Sequence, residues 1–179
     1  YNISMEKVKL TSLKEITRIF CCFPCCLVSC SYEDKDNIIA IGMVHIFSFN
    51  PPLIGIGVAP NRYSFSLIKN SREFVINIPN KEQVEIVNFC GEKSGKEVDK
   101  FKTLNLTKEK GECVKCPRIK ECPVNIECRV IKEVETGDHT WFIGEILGCY
   151  VDKNYKKEDN LLYWGGKYYE VGKILKIRY

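Results

Sequence analysis

A basic and a hydroxyl side chain at the expected start of a helix are the residues best suited to chemistry in this sequence. An apolar strand, Leu53 to Val58, leads into Asn61-Arg62-Tyr63-Ser64, which predicts a helix start. The first N–H groups of a helix are unpaired and the helix dipole is positive there, so a guanidinium and a hydroxyl at this point predict an anion site. A basic loop that contains glycine and serine, Ser94 to Phe101, follows a second strand and a short helical stretch. We expect the two segments to close over one phosphate group.

Strands with turn signals between them make up most of the remaining sequence. The expected strands are 25–32, 38–43, 53–58, 73–78, 125–134 and 141–151. We expect a short amphipathic segment at 5–19, a turn at 33–37 and a strand edge at 173–178. Many strands with only two or three short helices predict a mainly β fold, a barrel with helical insertions. No linker or repeat divides the chain, so we expect residues 1–179 to form a single domain.

Composition limits the classes of function. The chain has 179 residues, 45% of them hydrophobic and 28% charged, and a net charge of only +4. Such interspersed charge gives little support to nucleic-acid binding, which we do not expect. The longest apolar run, 19–30, is too short to span a bilayer and contains Pro24, so we expect no membrane contact. The charged start of the chain resembles no signal peptide, and we expect a cytoplasmic protein.

Eleven cysteines are unusual for a chain of this length. An odd number without an export signal argues against a complete disulfide framework and favours a reducing cytoplasm. Five cysteines lie in or beside one apolar segment, where we expect them to act as small hydrophobic side chains. They are Cys21, Cys22, Cys25, Cys26 and Cys30.

A second group of cysteines leaves two alternatives open. The spacing of Cys113 and Cys116 suits one corner of a zinc or iron–sulfur site, with Cys122 and Cys128 further along the chain. The plainer interpretation is a surface loop with free thiols, since no histidine lies in this loop. We expect free thiols and no bound metal.

Several motifs, in order along residues 20–172, resemble the flavin reductase-like family of FMN-binding split barrels. Each motif alone has a plainer explanation, such as a surface arginine, an ordinary turn, or packing of the aromatic tail in the core. Their order and spacing together carry the resemblance. The motifs are Asn37 to Met43, Ser48-Phe49-Asn50-Pro51-Pro52, Arg62-Tyr63-Ser64, Glu73 to Asn77, Cys90-Gly91 with Ser94-Gly95 and Asp99-Lys100-Phe101, Gly137-Asp138-His139, Ile143 to Ile146, and Tyr163 to Tyr169.

The resemblance implies an FMN-binding split β-barrel with a few short helices. Ala40 and Gly42 stand where relatives often carry Thr and Ser, so backbone contacts with the flavin ring must suffice there. The resemblance places His139 at the open side of the ring as the catalytic residue, although a histidine after Gly-Asp is more often an ordinary turn residue. The residues assigned to FMN are Ala40, Ile41, Gly42, Met43, Ser48, Phe49, Asn50, Arg62, Tyr63, Ser64, Ser94, Gly95, Lys100 and Phe101.

Two functions follow from the resemblance, and a third remains open. The first is an NAD(P)H-dependent reductase that passes electrons to flavin, ferric iron or another small-molecule or protein acceptor. The second is an electron carrier of the flavoredoxin type, and the third is a binding module without redox chemistry. Gly55-Ile56-Gly57 lies within an expected strand, so it is not a dinucleotide-binding fingerprint. The resemblance also implies a homodimer, with the aromatic tail at the subunit contact.

Overall fold

Strands dominate the computed structural model, which describes residues 5–20 and 22–176. The helices are α1 Leu13–Ile19, α2 Tyr63–Ser71, α3 Val84–Glu92 and α4 Lys100–Thr103, with 3-10 turns at Lys81–Gln83 and Lys157–Asp159. The strands are β1 Phe23–Pro24, β2 Cys26–Tyr32, β3 Lys35–Ile41, β4 Val44–Phe49, β5 Pro52–Val58, β6 Glu73–Ile78, β7 Lys108–Glu109, β8 Arg118–Ile119, β9 Val124–Thr136, β10 His139–Val151, β11 Leu161–Trp164 and β12 Lys167–Glu170. In the part of the chain described, no helix is long and apolar enough to cross a membrane.

Seven antiparallel strands form one sheet whose two edges are joined by a very short connection. Their spatial order is β3-β2-β6-β9-β10-β5-β4. The edge strands β3 and β4 are consecutive in the chain and separated only by Gly42 and Met43. The Met43 carbonyl accepts a hydrogen bond from Gly57 N–H at 2.8 Å. The sheet therefore curls until its first and last strands meet, which gives a barrel with a seam at this connection.

The two faces of the sheet pack into separate hydrophobic cores. Side chains alternate between the faces of a strand, so β2 sends Val28 into the core inside the barrel and Leu27 into a second core under α3. Phe74 and Phe142 fill the first core. The second core ties α3 and α4 to β3 and so fixes the helices beside this edge strand.

Asn77 connects the barrel wall to the long segment between α4 and β9. Its amide nitrogen donates to the Leu27 carbonyl at 2.9 Å and to Ser29 Oγ at 3.0 Å. Its Oδ1 accepts from Ile119 N–H at 2.9 Å and from the Asn125 amide at 2.8 Å. This buried side chain is therefore fully satisfied, as a polar group in a core must be.

The main strands expected from the sequence are present, with corrections at several places. β6 occupies the predicted residues, and β5, β9 and β10 begin one or two residues early. The turn predicted at 33–37 is only Glu33-Asp34, because Tyr32 and Lys35 already pair across the hairpin. The structure adds β4, whose apolar side chains lie mostly at the surface and so give no inside-outside alternation. The tail at 173–176 forms no strand, and 177–178 lie outside the described residues.

The first group of cysteines packs largely as expected. Cys25, Cys26 and Cys30 are buried, whereas Cys22 is exposed and Cys21 lies outside the described residues. Burial raises the pKa of Cys25 to about 11 and the pKa values of Cys26 and Cys30 to about 12. These thiols remain protonated at neutral pH and behave as small apolar side chains.

The second group of cysteines is dispersed. Cys113 is exposed, while Cys116, Cys122 and Cys128 are buried. Burial raises the pKa values of these three thiols as well. Ten cysteines are free thiols, and no cluster of three or more His, Cys, Asp or Glu side chains within 5–20 and 22–176 is arranged to hold a metal ion. The expected absence of bound metal from the purified protein stays a prediction, which metal analysis tests.

The buried thiols predict a loss of stability at alkaline pH. The unfolded chain ionises its thiols near pH 8.5, whereas the folded protein holds the pKa of Cys26 near 12. Because the folded pKa is raised, the stabilisation is fully present below pH 8.5 and is lost as the pH rises toward 12. Each such thiol lowers the free energy of unfolding by about 1.4 kcal/mol per pH unit in this window.

Urea unfolding between pH 7 and pH 10.5, without oxygen, measures this slope. Cys26→Ala should reduce the slope, and Cys22→Ala, at an exposed position, should leave it unchanged. Equal slopes in the wild type and in Cys26→Ala would contradict the assignment.

Candidate functional site

The N-terminus of α2, the edge strand β3 and the loop after α3 surround a cavity of about 250 Å³. Arg62 is the N-cap residue of α2, as the sequence predicts, and its side chain makes no capping hydrogen bond. The first N–H groups of this helix therefore lack a side-chain acceptor from the cap, and their residues Tyr63 and Ser64 line the cavity. The lining residues are Asn37, Ile39, Ala40, Asn61, Arg62, Tyr63, Ser64, Cys90, Gly91, Glu92, Lys93, Ser94, Gly95 and Lys100.

Lys100 brings a buried positive charge to this cavity. Its side chain is only 3% exposed, and Nζ donates to the carbonyls of Ile38 and Cys90, both at 2.7 Å. Burial lowers the pKa of Lys100, and the nearby Arg62 charge lowers it further. Within the described part of the chain, no carboxylate forms an ion pair with either cation. An ammonium has three N–H groups, so one remains for an anion in the cavity.

Asp99 places Lys100 at the start of α4. Its carboxylate accepts a hydrogen bond from Lys102 N–H at 3.1 Å and so caps the helix. Phe101, the next residue, points into the core under α3. Lys100 is therefore held by a capped helix on one side and by β3 on the other, which gives its ammonium a fixed position.

Ser64 is buried and its hydroxyl is used within the protein. Its Oγ accepts a hydrogen bond from the Asn37 amide at 2.8 Å and contacts the Cys30 thiol. The hydroxyl thus connects α2 to β3, and Ser64 also lines the cavity. Asn37 is a site residue that the sequence-based assignment left out, although it opens the motif that contains Ala40 and Gly42.

Gly95 lets the loop after α3 approach the site closely. A Cβ at this position would lie 2.2 Å from Asn37 Oδ1 and 2.7 Å from the Tyr63 ring. Ser94 starts a turn in this loop, with Glu97 N–H donating to its carbonyl at 3.0 Å. The loop therefore closes over the N-terminus of α2, and only a residue without a side chain fits at the contact.

A second, narrower cleft of about 130 Å³ continues from the first cavity along β3. The two share Ile39, Ala40 and Arg62. β3 is an edge strand, so alternate backbone N–H and C=O groups face away from β2 and are available to a ligand. The cleft lies at the seam of the barrel and is lined by Ile39, Ala40, Ile41, Gly42, Met43, Gly57, Val58, Ala59, Arg62 and His139.

His139 lines this cleft, whereas Lys100 lines only the first cavity. It is the first residue of β10, directly after the turn Gly137-Asp138, in which Gly137 has φ +69°. Its Nδ1 is 2.8 Å from the Asp138 carboxylate, and this hydrogen bond lowers the pKa of Asp138. The contact orients the ring, and Nε2 remains for a ligand.

Ten of the fourteen residues assigned to a cofactor line these two cavities, along with the catalytic candidate His139. Ser48 and Phe49 lie at the far end of β4, and Asn50 follows them. Phe101 is in the core. Their assignment, unlike that of the lining residues, gains no support from the arrangement of this chain and stays a prediction.

Another cavity, of about 490 Å³, lies elsewhere and suits an anion less well. Its two lysines, Lys120 and Lys156, are accompanied by Glu121, Asp152 and Asp159. Acidic side chains therefore outnumber basic ones there, whereas the Lys100 ammonium forms no ion pair with a carboxylate of the described residues. For this reason the smaller cavity is the candidate site.

Comparison with known proteins agrees with this geometry. Residues 18–172 match the model of the flavin reductase like domain, so the chain belongs to this family. An uncharacterized protein of Archaeoglobus fulgidus is 46% identical over 114 residues, which is 64% of either chain. The match thus spans less than two thirds of that relative's length.

Two solved structures are similar over almost the whole chain. The flavoredoxin of Methanosarcina acetivorans has 30% identity and a TM-score of 0.86, covering 97% of this chain and 95% of its own. The flavoredoxin of Desulfovibrio vulgaris (Miyazaki F) has 30% identity and a TM-score of 0.82, covering 94% and 97%. The mainly β split-barrel fold expected from the sequence is confirmed.

The contact at Gly95 predicts a difference between two neighbouring glycines. Gly95→Ala should lower the free energy of unfolding by about 1–3 kcal/mol, because the new methyl group overlaps Asn37. Gly91→Ala is the matched control. Its Cβ would meet only Ala40 Cβ, at 3.7 Å, and alanine stabilises a helix relative to glycine. Urea unfolding measures both, and equal effects would show that the loop does not pack as described.

Proposed function

We propose that the protein binds FMN and transfers electrons from NAD(P)H to flavin, ferric iron or another acceptor. The observation that carries this proposal is the buried, unpaired ammonium of Lys100 at one end of a cavity that continues as a cleft along an open strand edge. An anionic tail joined to a flat ring with polar edges matches both parts. FMN has this form.

The residues present fit the two ends of FMN. Arg62, Lys100 and the first N–H groups of α2 would hold the phosphate, since charge-assisted hydrogen bonds favour a dianion there. The backbone at the end of β3, at Ala40 and Ile41, and the Gly42-Met43 connection that follows would meet the polar edge of the ring. The bound flavin would supply the redox chemistry, as it accepts a hydride and can pass electrons singly.

His139 would act on the electron donor rather than on the phosphate. It lines the cleft but not the phosphate cavity. An imidazole there can orient a nicotinamide or stabilise charge that develops during hydride transfer. The Gly55 to Gly57 segment lies within β5, so it provides no dinucleotide-binding turn. A nicotinamide donor would therefore approach through the exposed cleft.

A second function, that of an electron carrier of the flavoredoxin type, is favoured by the similarity to two flavoredoxins at 30% identity over nearly the whole chain. Such a carrier would hold FMN and exchange electrons with other proteins. Anaerobic addition of NADH and of NADPH to the FMN-loaded protein separates the two functions. Loss of the flavin absorbance on the timescale of enzyme turnover supports the reductase. Slow or absent loss with both donors supports the carrier.

Removing the Arg62 guanidinium tests FMN binding. Arg62→Ala should weaken FMN binding by roughly ten- to a hundredfold, since a charge-assisted hydrogen bond contributes about 1.5–3 kcal/mol. Fluorescence quenching of FMN on titration measures the affinity. Lys69→Ala is the control, because it removes one positive charge from the same helix at an exposed position outside the cavity. Equal affinities in all three proteins would remove Arg62 from the site.

Replacing His139 tests the donor side of the cleft. His139→Ala should keep FMN bound and slow flavin reduction by roughly a hundredfold, to an extent that depends on the donor. Stopped-flow absorbance measures the rate, with His45→Ala, at an exposed position on β4, as the control. Loss of FMN in His139→Ala would make this residue part of the cofactor site, and unchanged rates with every donor would favour the carrier.

We also propose a homodimer in which residues 1–179 form one domain in the cytoplasm. Exposed apolar side chains support the homodimer, because a second copy could cover them. Phe49 on β4 is 88% exposed and Trp164 on β11 is 40% exposed. Ten free thiols suit a reducing compartment. Sedimentation equilibrium at micromolar concentration should give about twice the mass of one chain, and a stable monomer would exclude the dimer.

A further inference from the structure

A third cavity, of about 430 Å³, adjoins the same segment at the end of β3. It shares Ala40, Ile41 and Gly42 with the cleft that we assign to the ring. Its remaining walls come from α3, the segment around β1 and the hairpin β11–β12. They are Pro24, Cys25, Cys26, Val87, Asn88, Gly91, Glu92, Tyr163, Gly166 and Tyr168. Five of its thirteen lining residues also line the phosphate cavity or the cleft, and the other eight line neither, so this cavity extends beyond the proposed FMN site.

Small side chains open this cavity toward β3. Ala40 and Gly42 form the part that it shares with the cleft, and Gly91 of α3 faces Ala40 with nothing else within 4 Å of a hypothetical Cβ. Two tyrosines stand at the other side. The Tyr163 and Tyr168 rings pack edge to face, with centroids 5.6 Å apart. The arrangement offers aromatic walls to a flat ligand, the usual way in which proteins hold a ring.

The charge of this cavity differs from that of the phosphate site. No Lys, Arg or His lines it, and its one charged side chain is the exposed carboxylate of Glu92. Anions are therefore disfavoured, including phosphorylated and sulfonated molecules. Two polar groups face it. The Tyr168 hydroxyl donates to Asn88 Oδ1 at 3.5 Å, and burial raises the pKa of Tyr168, so the hydroxyl keeps this proton at neutral pH. The Asn88 amide is a second donor.

We propose that this cavity binds a neutral ring with carbonyl oxygens, of the quinone class, as the electron acceptor of the protein. The ring would pack against Tyr163 and Tyr168, and its carbonyl would accept a hydrogen bond from the Asn88 amide, whose Oδ1 accepts from the Tyr168 hydroxyl. This inference rests on the proposed FMN function, since the acceptor lies across Ala40 to Gly42 from the flavin. Reduced FMN gives up two electrons and two protons, and the quinone takes them and becomes a hydroquinone. No bond to the protein forms.

Binding of duroquinone tests the proposal directly. Its ring carbons are fully methylated, so the nearby Cys25 thiol does not add to it. Titration followed by NMR of the duroquinone methyl signal gives the affinity, on protein with and without FMN. Tyr163→Ala should weaken binding roughly tenfold, because one ring contact is lost. Tyr168→Phe, which keeps the ring and removes only the hydroxyl, should weaken it roughly two- to tenfold, because Asn88 loses the contact that orients its amide.

Two controls make the result specific. Tyr155→Ala replaces a half-buried tyrosine that lines the distant 490 Å³ cavity and should leave the affinity unchanged. Chloranilate, a fully substituted benzoquinone that is a dianion at neutral pH, should bind far more weakly than duroquinone. Thermal unfolding of each variant checks that it folds.

The outcomes distinguish this inference from the proposed function. It is overturned if duroquinone does not bind at millimolar concentration, if Tyr155→Ala weakens binding as much as Tyr163→Ala and Tyr168→Phe, or if chloranilate binds equally well. Failure of FMN to bind would overturn the proposed function by a separate measurement. The affinity of the cavity for duroquinone would still be measured on the protein without FMN.

Discussion

The buried ammonium of Lys100 is the interaction on which the candidate site depends. By donating to the carbonyls of Ile38 and Cys90, it joins the edge strand β3 to the end of α3. A charge that is 97% removed from solvent and lacks a carboxylate partner is costly, unless an anion completes its coordination. An anion that pairs with Lys100 would remove this cost. Burial of the ammonium in the fold therefore makes anion binding more favourable.

Local signals in the sequence were sufficient for the elements that build the site. The helix start at Arg62, the strand Glu73–Ile78 and the loop at Ser94 depend on capping, alternation and glycine content, which are properties of short segments. β4 was not recognised because its apolar side chains face outward, where nothing in the sequence separates a surface strand from a loop before Pro51-Pro52. The predicted turn at 33–37 was too long for a similar reason. Lys35 and Asp36 are strand residues, but their side chains are exposed or half-buried.

Long-range contacts account for what could not be predicted in the site. Lys100 and Arg62, both assigned to the cofactor, line one cavity, and the hydrogen bond from Asn37 to the Ser64 hydroxyl joins positions 27 residues apart. No spacing rule shows such a contact. Ser48 and Phe49, assigned through the family motif, lie at the end of β4 away from the Gly42-Met43 connection, and Asn50 follows them. Their contact with the cofactor stays a prediction.

The two-residue connection between β3 and β4 has a consequence for motion. Gly42 and Met43 join both edges of the sheet and also line the cleft. A molecule lying in the cleft would touch both sides of the seam, so the barrel could not open there without releasing it. Amide groups of β3 and of β5 near Gly57 should then exchange with solvent together, in one cooperative opening event, although four strands lie between them in the order of the sheet.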